Sequence, residues 1–138
     1  MENNQSKDPI FRLCDEVREA AYALYSYLRH GHAEKVYENG LRHRLEQLGL
    51  VVVQQPSANV HDEDGTVIGH FVPDLLVADS LLVEVKALPA IGDDHVGQVL
   101  GYLRATNLEH GLLINFGAPK LQVKKLVLSH PAPAPARP

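Results

Sequence analysis

Cysteine is almost missing from this 138-residue chain: Cys14 stands alone. No internal disulfide can brace the fold, which agrees with a reducing, cytoplasmic setting and leaves helix packing as the expected role of Cys14. Long apolar runs are missing too. None approaches the roughly 20 residues that cross a bilayer, and residues 1–8 lack the basic-then-apolar order of a secretory signal, so no membrane partner is expected. Nor is there an excess of positive charge, because 13 Lys and Arg face 17 Asp and Glu for a formal charge of -4. A polyanion would therefore have to be held by a local patch or through a divalent metal, not by a global basic field. The eight histidines add charge only when protonated. What is plentiful is apolar mass: 45% hydrophobic against 22% charged residues is the profile of one globular domain with a single core.

Residues 9–29 place Val17, Ala20, Ala21, Leu24 and Leu28 at helical spacing, and the Arg29-His30-Gly31-His32 stretch interrupts the pattern. A second helix is predicted over 33–48, with Val36, Tyr37, Leu41, Leu45 and Leu48 on one side and Gly49 as its stop. The period then changes. Residues 50–54 read as a strand that Pro56 closes or bends, with resumption through Val60, and the Asp62-Glu63-Asp64-Gly65 turn leads into a second long strand over 66–77. After a turn at 78–80, residues 81–87 form a third strand in which Glu84 and Lys86 share one face. Asp93 or Asp94 is expected to cap a helix bearing Val96, Val99, Leu100 and Leu103 that ends near Asn107, and residues 111–116 and 121–128 are the last strand candidates. The expected order is helix, helix, three strands, helix, two strands. Residues 1–8 read as a disordered N-terminus, 9–129 as the domain, and 130–138 as a Pro/Ala-rich flexible tail that on composition alone could also dock a partner.

The chemistry concentrates at Asp74, Glu84 and Lys86. A hairpin would bring Asp74 beside Glu84, making a hard-oxygen site suited to Mg²⁺ or Mn²⁺, and Lys86 projects from the same face as Glu84. Its ammonium could orient an attacking water and offset charge developing on phosphate. On spacing alone, a cross-strand salt bridge on a solvated face is the more common fate of such a trio. The surroundings argue otherwise: Leu75, Leu76, Val77, Leu81, Leu82, Val83 and Val85 make both strands apolar, and charges lodged among them need a partner or a metal.

The residues Gly31-His-Ala-Glu34-Lys-Val-Tyr37 fit a Gly-x-x-Glu-x-x-Tyr signature. Together with Pro73-Asp74, Glu84-Val85-Lys86, the 95–103 segment and the 111–119 segment, in that order, the chain resembles the GxxExxY proteins of the PD-(D/E)XK nuclease-like superfamily over roughly residues 9–128. The resemblance implies an α/β, three-layer restriction-endonuclease-like core with a central mixed β-sheet flanked by helices. It implies that Asp74 and Glu84 ligate metal with the Val85 carbonyl as a further donor, that Lys86 is the catalytic lysine, and that Glu34 completes the acidic shell. The other reading of Glu34 is a first-turn glutamate favoured by the helix dipole. Gln98 and Tyr102 match the Gln-x-x-x-Tyr element that helps fix phosphate and lysine in related nucleases, or else form an ordinary helix pair. His95, one turn earlier, either touches substrate or caps its helix. The chain departs from the family's pattern at Tyr25 and Arg29, where relatives commonly carry histidine and glycine, and His30 and His32 are the nearby substitutes.

These readings lead to a divalent-metal-dependent deoxyribonuclease with DNA, or RNA, as its partner, contacted by some of Arg42, Arg44, Arg104, Lys120, Lys124 and Lys125 through phosphate with little base readout. One active site per chain makes double-strand cleavage a task for a homo-oligomer. The rival is a nucleic-acid-binding or assembly module that keeps the fold without turnover.

Overall fold

In the computed structural model, which describes residues 8–130, the first helix starts where Asp8 accepts a hydrogen bond from the Ile10 N–H (3.0 Å) and Pro9 supplies a preset φ at the first helical position. Helix α1 (Pro9–Leu28) buries Leu13, Cys14, Val17, Ala21 and Leu24, and helix α2 (Glu34–Gln47) buries Tyr37, Leu41 and Leu45 against the same core. The expectations for the two ends of the chain fall mostly outside the described residues. Within them, Asp8 is a helix cap and the His130 ring contacts the Leu108 carbonyl.

Seven strands follow: β1 (Val52–Gln54), β2 (Ala58–His61), β3 (Val67–Phe71), β4 (Leu75–Val77), β5 (Leu81–Lys86), β6 (His110–Asn115) and β7 (Gln122–Val127), with helix α3 (Asp93–Thr106) between β5 and β6. The main sheet has the order β1-β4-β5-β6-β7 and is mixed, since β5 and β6 run parallel and the other pairs antiparallel. Helices α1 and α2 cover one face, where Leu75, Val77, Leu81, Val83, Val85, Leu112 and Ile114 point, and α3 covers the other through Val99 and Leu103 on Leu82 and Leu113. This is the expected three-layer α/β core.

Three local expectations are corrected. Residues 66–77 are not one strand but β3 and β4, because Pro73 has no N–H to give a ladder and the chain turns there. The strand over 50–54 does stop before Pro56, but the resumption through Val60 is a strand of its own, β2, so five strands and not three precede α3, and β2 and β3 pair with each other as a separate two-stranded sheet. Third, Asp93 and Asp94 lie inside α3 and Gly92 is its N-cap; the His95 side chain reaches back to accept from the Gly92 N–H (3.0 Å).

Two junctions hold the strand ends in place. Fully buried Asn115 accepts from the N–H groups of Leu88 and Gly117 and donates to the Leu88 carbonyl and to Gln122. The backbones approach so closely that a Cβ at Gly117 would lie 2.3 Å from the Leu88 nitrogen. At the other junction, Tyr37 stacks on Phe116 with ring centroids 4.7 Å apart, donates its hydroxyl to the Arg29 carbonyl and accepts from the His32 N–H. Arg29 there takes φ 58° and ψ −176°, a conformation that glycine enters readily and arginine does not. Arg29→Gly should therefore stabilise the protein by about 1 kcal/mol in urea denaturation, net of the extra freedom glycine has when unfolded. A loss of stability would show that the arginine side chain contributes more than its backbone costs.

Candidate active site

The β4–β5 hairpin is closed by a tight turn in which Ala78 and Asp79 both take positive φ and the Ser80 N–H donates to the Val77 carbonyl (3.1 Å). Its register, Val77 opposite Leu81 through Leu75 opposite Val83, would place Asp74 opposite Glu84 at the next rung. There the side chains take over from the backbone. The Asp74 N–H donates to Glu84 Oε1 (2.8 Å) and the Val85 N–H donates to Asp74 Oδ2 (2.7 Å), while the Asp74 carbonyl is held from β1 by the Gln55 N–H (2.7 Å).

Both carboxyl groups are poorly solvated, Glu84 being only 4% exposed. Burial, then the Asp74 charge, pushes Glu84 up to about 8. Burial likewise raises Asp74 to about 6, against the lowering effect of its bond from Val85, with Glu38 and Glu34 adding further negative charge. Lys86 partly offsets this by acting on Glu84 as a nearby cation, and its Nζ donates to Gln98 Oε1 (3.4 Å). Tyr102, one turn along α3 from Gln98, stacks flat on Phe71 with centroids 4.3 Å apart. Its phenol is held above its ordinary pKa by burial and by the charges of Glu84 and Asp74, so it stays a neutral donor beside them.

The structure thus gathers Asp74, Glu84 and Lys86 at one end of the β4–β5 hairpin with Gln98 and Tyr102 from the middle of α3. Val85 lies on β5 between Glu84 and Lys86, opposite Ile114 of β6, with its side chain buried in the α1–α2 core and its N–H tied to Asp74. Glu34 is exposed in the first turn of α2 and acts on both carboxylates through charge. His95 sits at the start of α3 with Nδ1 accepting from the Gly92 N–H (3.0 Å) and lying 3.3 Å from the Asp94 carboxylate. The candidate cations do not form one patch: Arg42 engages Glu46 and Gln54, Lys125 lies 3.8 Å over the Phe11 ring, and Arg44 lines a cleft between α1 and α2.

Sequence reading missed Glu38, Gln54 and Gln55. Glu38 is 2% exposed and accepts from Lys35, Gln54 and Gln55 close to Asp74. A signal was there, since 38, 41 and 45 form the buried stripe of α2 and a glutamate on such a stripe needs partners.

The donor set fits a hard divalent ion. Two carboxylates repelling each other in a dry setting, with a strand carbonyl nearby, are what a cation of the Mg²⁺ type neutralises, and such ions use one or two carboxylates and complete their shell with water and phosphate. Among the described residues no three His, Cys, Asp or Glu side chains close around a point as a full protein cage. Without an ion the raised carboxylates have a defined consequence. A folded-state pKa above the unfolded one means the folded chain holds protons more tightly, so this contribution to stability is full below about pH 4 and lost as pH rises through about 6 for Asp74 and about 8 for Glu84. Thermal midpoints measured with chelator should fall between about pH 5 and about pH 8, and fall less in an Asp74→Asn, Glu84→Gln double variant. An equal slope in both chains would contradict the burial of this pair.

A family model described as the PD-(D/E)XK nuclease superfamily matches residues 12–126. No curated protein sequence matches the chain.

Proposed function

The chain belongs to the PD-(D/E)XK nuclease superfamily, and on that premise we propose that it hydrolyses phosphodiester bonds in DNA with Mg²⁺ or Mn²⁺ at Asp74 and Glu84. The observation that carries this reading is the crossed pair at the hairpin end: two poorly solvated carboxylates, each accepting from a backbone N–H of the opposite strand (Glu84 from Asp74, Asp74 from Val85), with Lys86 and Gln98 beside them. When bound, a divalent ion supplies Lewis acidity and a more acidic water nucleophile.

The chain's own groups have separate tasks. Asp74 and Glu84 offer oxygens, joined by the Val85 carbonyl and, from the α2 side, by Glu34. Lys86 directs its ammonium at the reacting phosphate and orients the attacking water, and Gln98 limits where that ammonium can swing. Tyr102 donates its phenolic hydrogen to a phosphate oxygen, kept protonated by the carboxylates near it. His95, with Nδ1 committed to Gly92, meets the nucleic-acid backbone through Nε2. The lone buried Cys14 suits a reducing cytoplasm, and two copies would be needed to cut both strands at one place.

The dispersal of the cations favours a second reading, a nucleic-acid-binding or assembly module that does not turn over, or one that meets RNA in place of DNA. Cleavage assays on single- and double-stranded DNA with Mg²⁺ or Mn²⁺ separate these. The native chain should cut, with chelator abolishing the activity, and Lys86→Ala or Asp74→Ala should each lower the rate at least about 100-fold. Activity that survives both substitutions would remove the site from the mechanism. Binding without cleavage on every substrate would favour the silent module.

A further inference from the structure

Glu38 is the least solvated carboxylate near the site, and nothing in the proposed chemistry uses it. Its Oε2 accepts from Lys35 Nζ (3.1 Å), Gln54 Nε2 (2.5 Å) and Gln55 Nε2 (3.3 Å). Gln54 cannot turn its amide round, because Arg42 donates to Gln54 Oε1 (2.8 Å) and arginine has no acceptor to offer. The glutamines are neutral and Lys35 is half exposed, so this shell fixes where the Glu38 carboxylate lies without cancelling the negative charge gathered there. Glu38 is near enough to Asp74 for its charge to act on that carboxyl group. Asp74 is thus held from β1 twice: Gln55 binds its carbonyl through the backbone N–H, and through its side chain binds the glutamate that faces its carboxyl group. Gln55 adopts φ 53°, a left-handed conformation that costs a glutamine energy and that the paired contacts hold in place.

We propose that Glu38 is the positioning residue for Asp74: a buried carboxylate, clamped by Lys35, Gln54 and Gln55, that orients the Asp74 carboxyl group toward a divalent ion and adds negative potential at the site. This rests on the reading of Asp74 and Glu84 as metal ligands. A purely structural role, tying α2 to the β1 edge, would need the same hydrogen bonds but would leave metal affinity untouched. Partners that orient a ligand carboxylate change affinity about 10–100-fold when removed.

The test is calorimetric titration of the full chain with Mn²⁺ alone, comparing the native protein with Glu38→Gln, which keeps the side chain's size and removes its charge, and with Gln55→Ala, which removes one clamp at an exposed position. Glu38→Gln should weaken Mn²⁺ binding by about 10–100-fold, and Gln55→Ala by a smaller factor in the same direction. In cleavage assays Glu38→Gln should raise the Mn²⁺ concentration giving half the maximal rate, with KM for DNA unchanged. Native Mn²⁺ affinity in a folded Glu38→Gln chain overturns the role of Glu38 and leaves the metal reading standing. If that variant does not fold, unchanged affinity in Gln55→Ala overturns it instead. A native chain that takes up no Mn²⁺ overturns the metal reading itself, and the role of Glu38 with it.

Discussion

Everything about this site depends on two carboxylates being held close together where water cannot separate them. Asp74 and Glu84 face each other at the last rung of the β4–β5 hairpin, each accepting a hydrogen bond from the other strand's backbone. Those bonds fix the oxygens but leave an imbalance of negative charge: the proton affinities of both groups are raised first by burial and then by neighbouring charge, that of Asp74 on Glu84 and those of Glu38 and Glu34 on Asp74. A proton can relieve it, and so can a divalent cation. The fold spends conformational order on keeping the pair in place: positive φ at Ala78 and Asp79 closes the hairpin, and positive φ at Gln55 holds the neighbouring strand to Asp74. Strain next to a charged cluster is unexplained by core packing and well explained by a site that must be preorganised.

The layers explain why the candidate set can be assembled from distant parts of the chain. Leu81, Val83 and Val85 seal one face of β5 against α1 and α2, which forces Glu84 and Lys86 to the face that α3 covers. Helix α3 buries Val99 and Leu103, which are offset from Gln98 and Tyr102 around the helix, so burying the first pair turns the second toward the strand ends. Phe71 then stacks on Tyr102, so the small β2–β3 sheet braces the α3 side of the site.

The sequence makes the helices, four of the five strands of the main sheet and the core trio legible for a simple reason: apolar periodicity decides them, and Glu84 and Lys86 break that periodicity on one face of a strand. It is much less informative where the backbone departs from regular pairing. Residues 66–77 read as one strand because their composition is uniformly β-forming, yet Pro73 ends the ladder and lets Asp74 leave the sheet plane. The cap of α3 was misassigned because Asp is a strong capping residue in general, whereas here the Gly92 N–H finds its acceptor in the His95 ring. For Glu38 the sequence signal is a glutamate on the buried stripe of α2, which needs partners, but which partners meet it, Gln54 and Gln55 among them, emerges only from the fold.

The two departures from the family pattern resolve into different physical roles. Tyr25 does not stand in for a histidine beside the carboxylate pair, because its buried hydroxyl donates to the Ala118 carbonyl (2.7 Å) and so ties α1 to the turn after β6. That turn follows the Asn115–Gly117 junction that holds Leu88, two residues beyond Lys86, so Tyr25 supports the lysine strand from behind. Arg29 keeps the backbone conformation that a glycine would adopt, since its carbonyl must meet the Tyr37 hydroxyl for α2 to start where Glu34 and Glu38 reach the carboxylates. His32 packs edge-on against Tyr37, 5.8 Å between centroids, which places it in the same hinge between the helices. Tyr25 thus serves the placement of the lysine strand and Arg29 that of α2 over the strand ends, and both placements are requirements that the acidic cluster imposes on the rest of the fold.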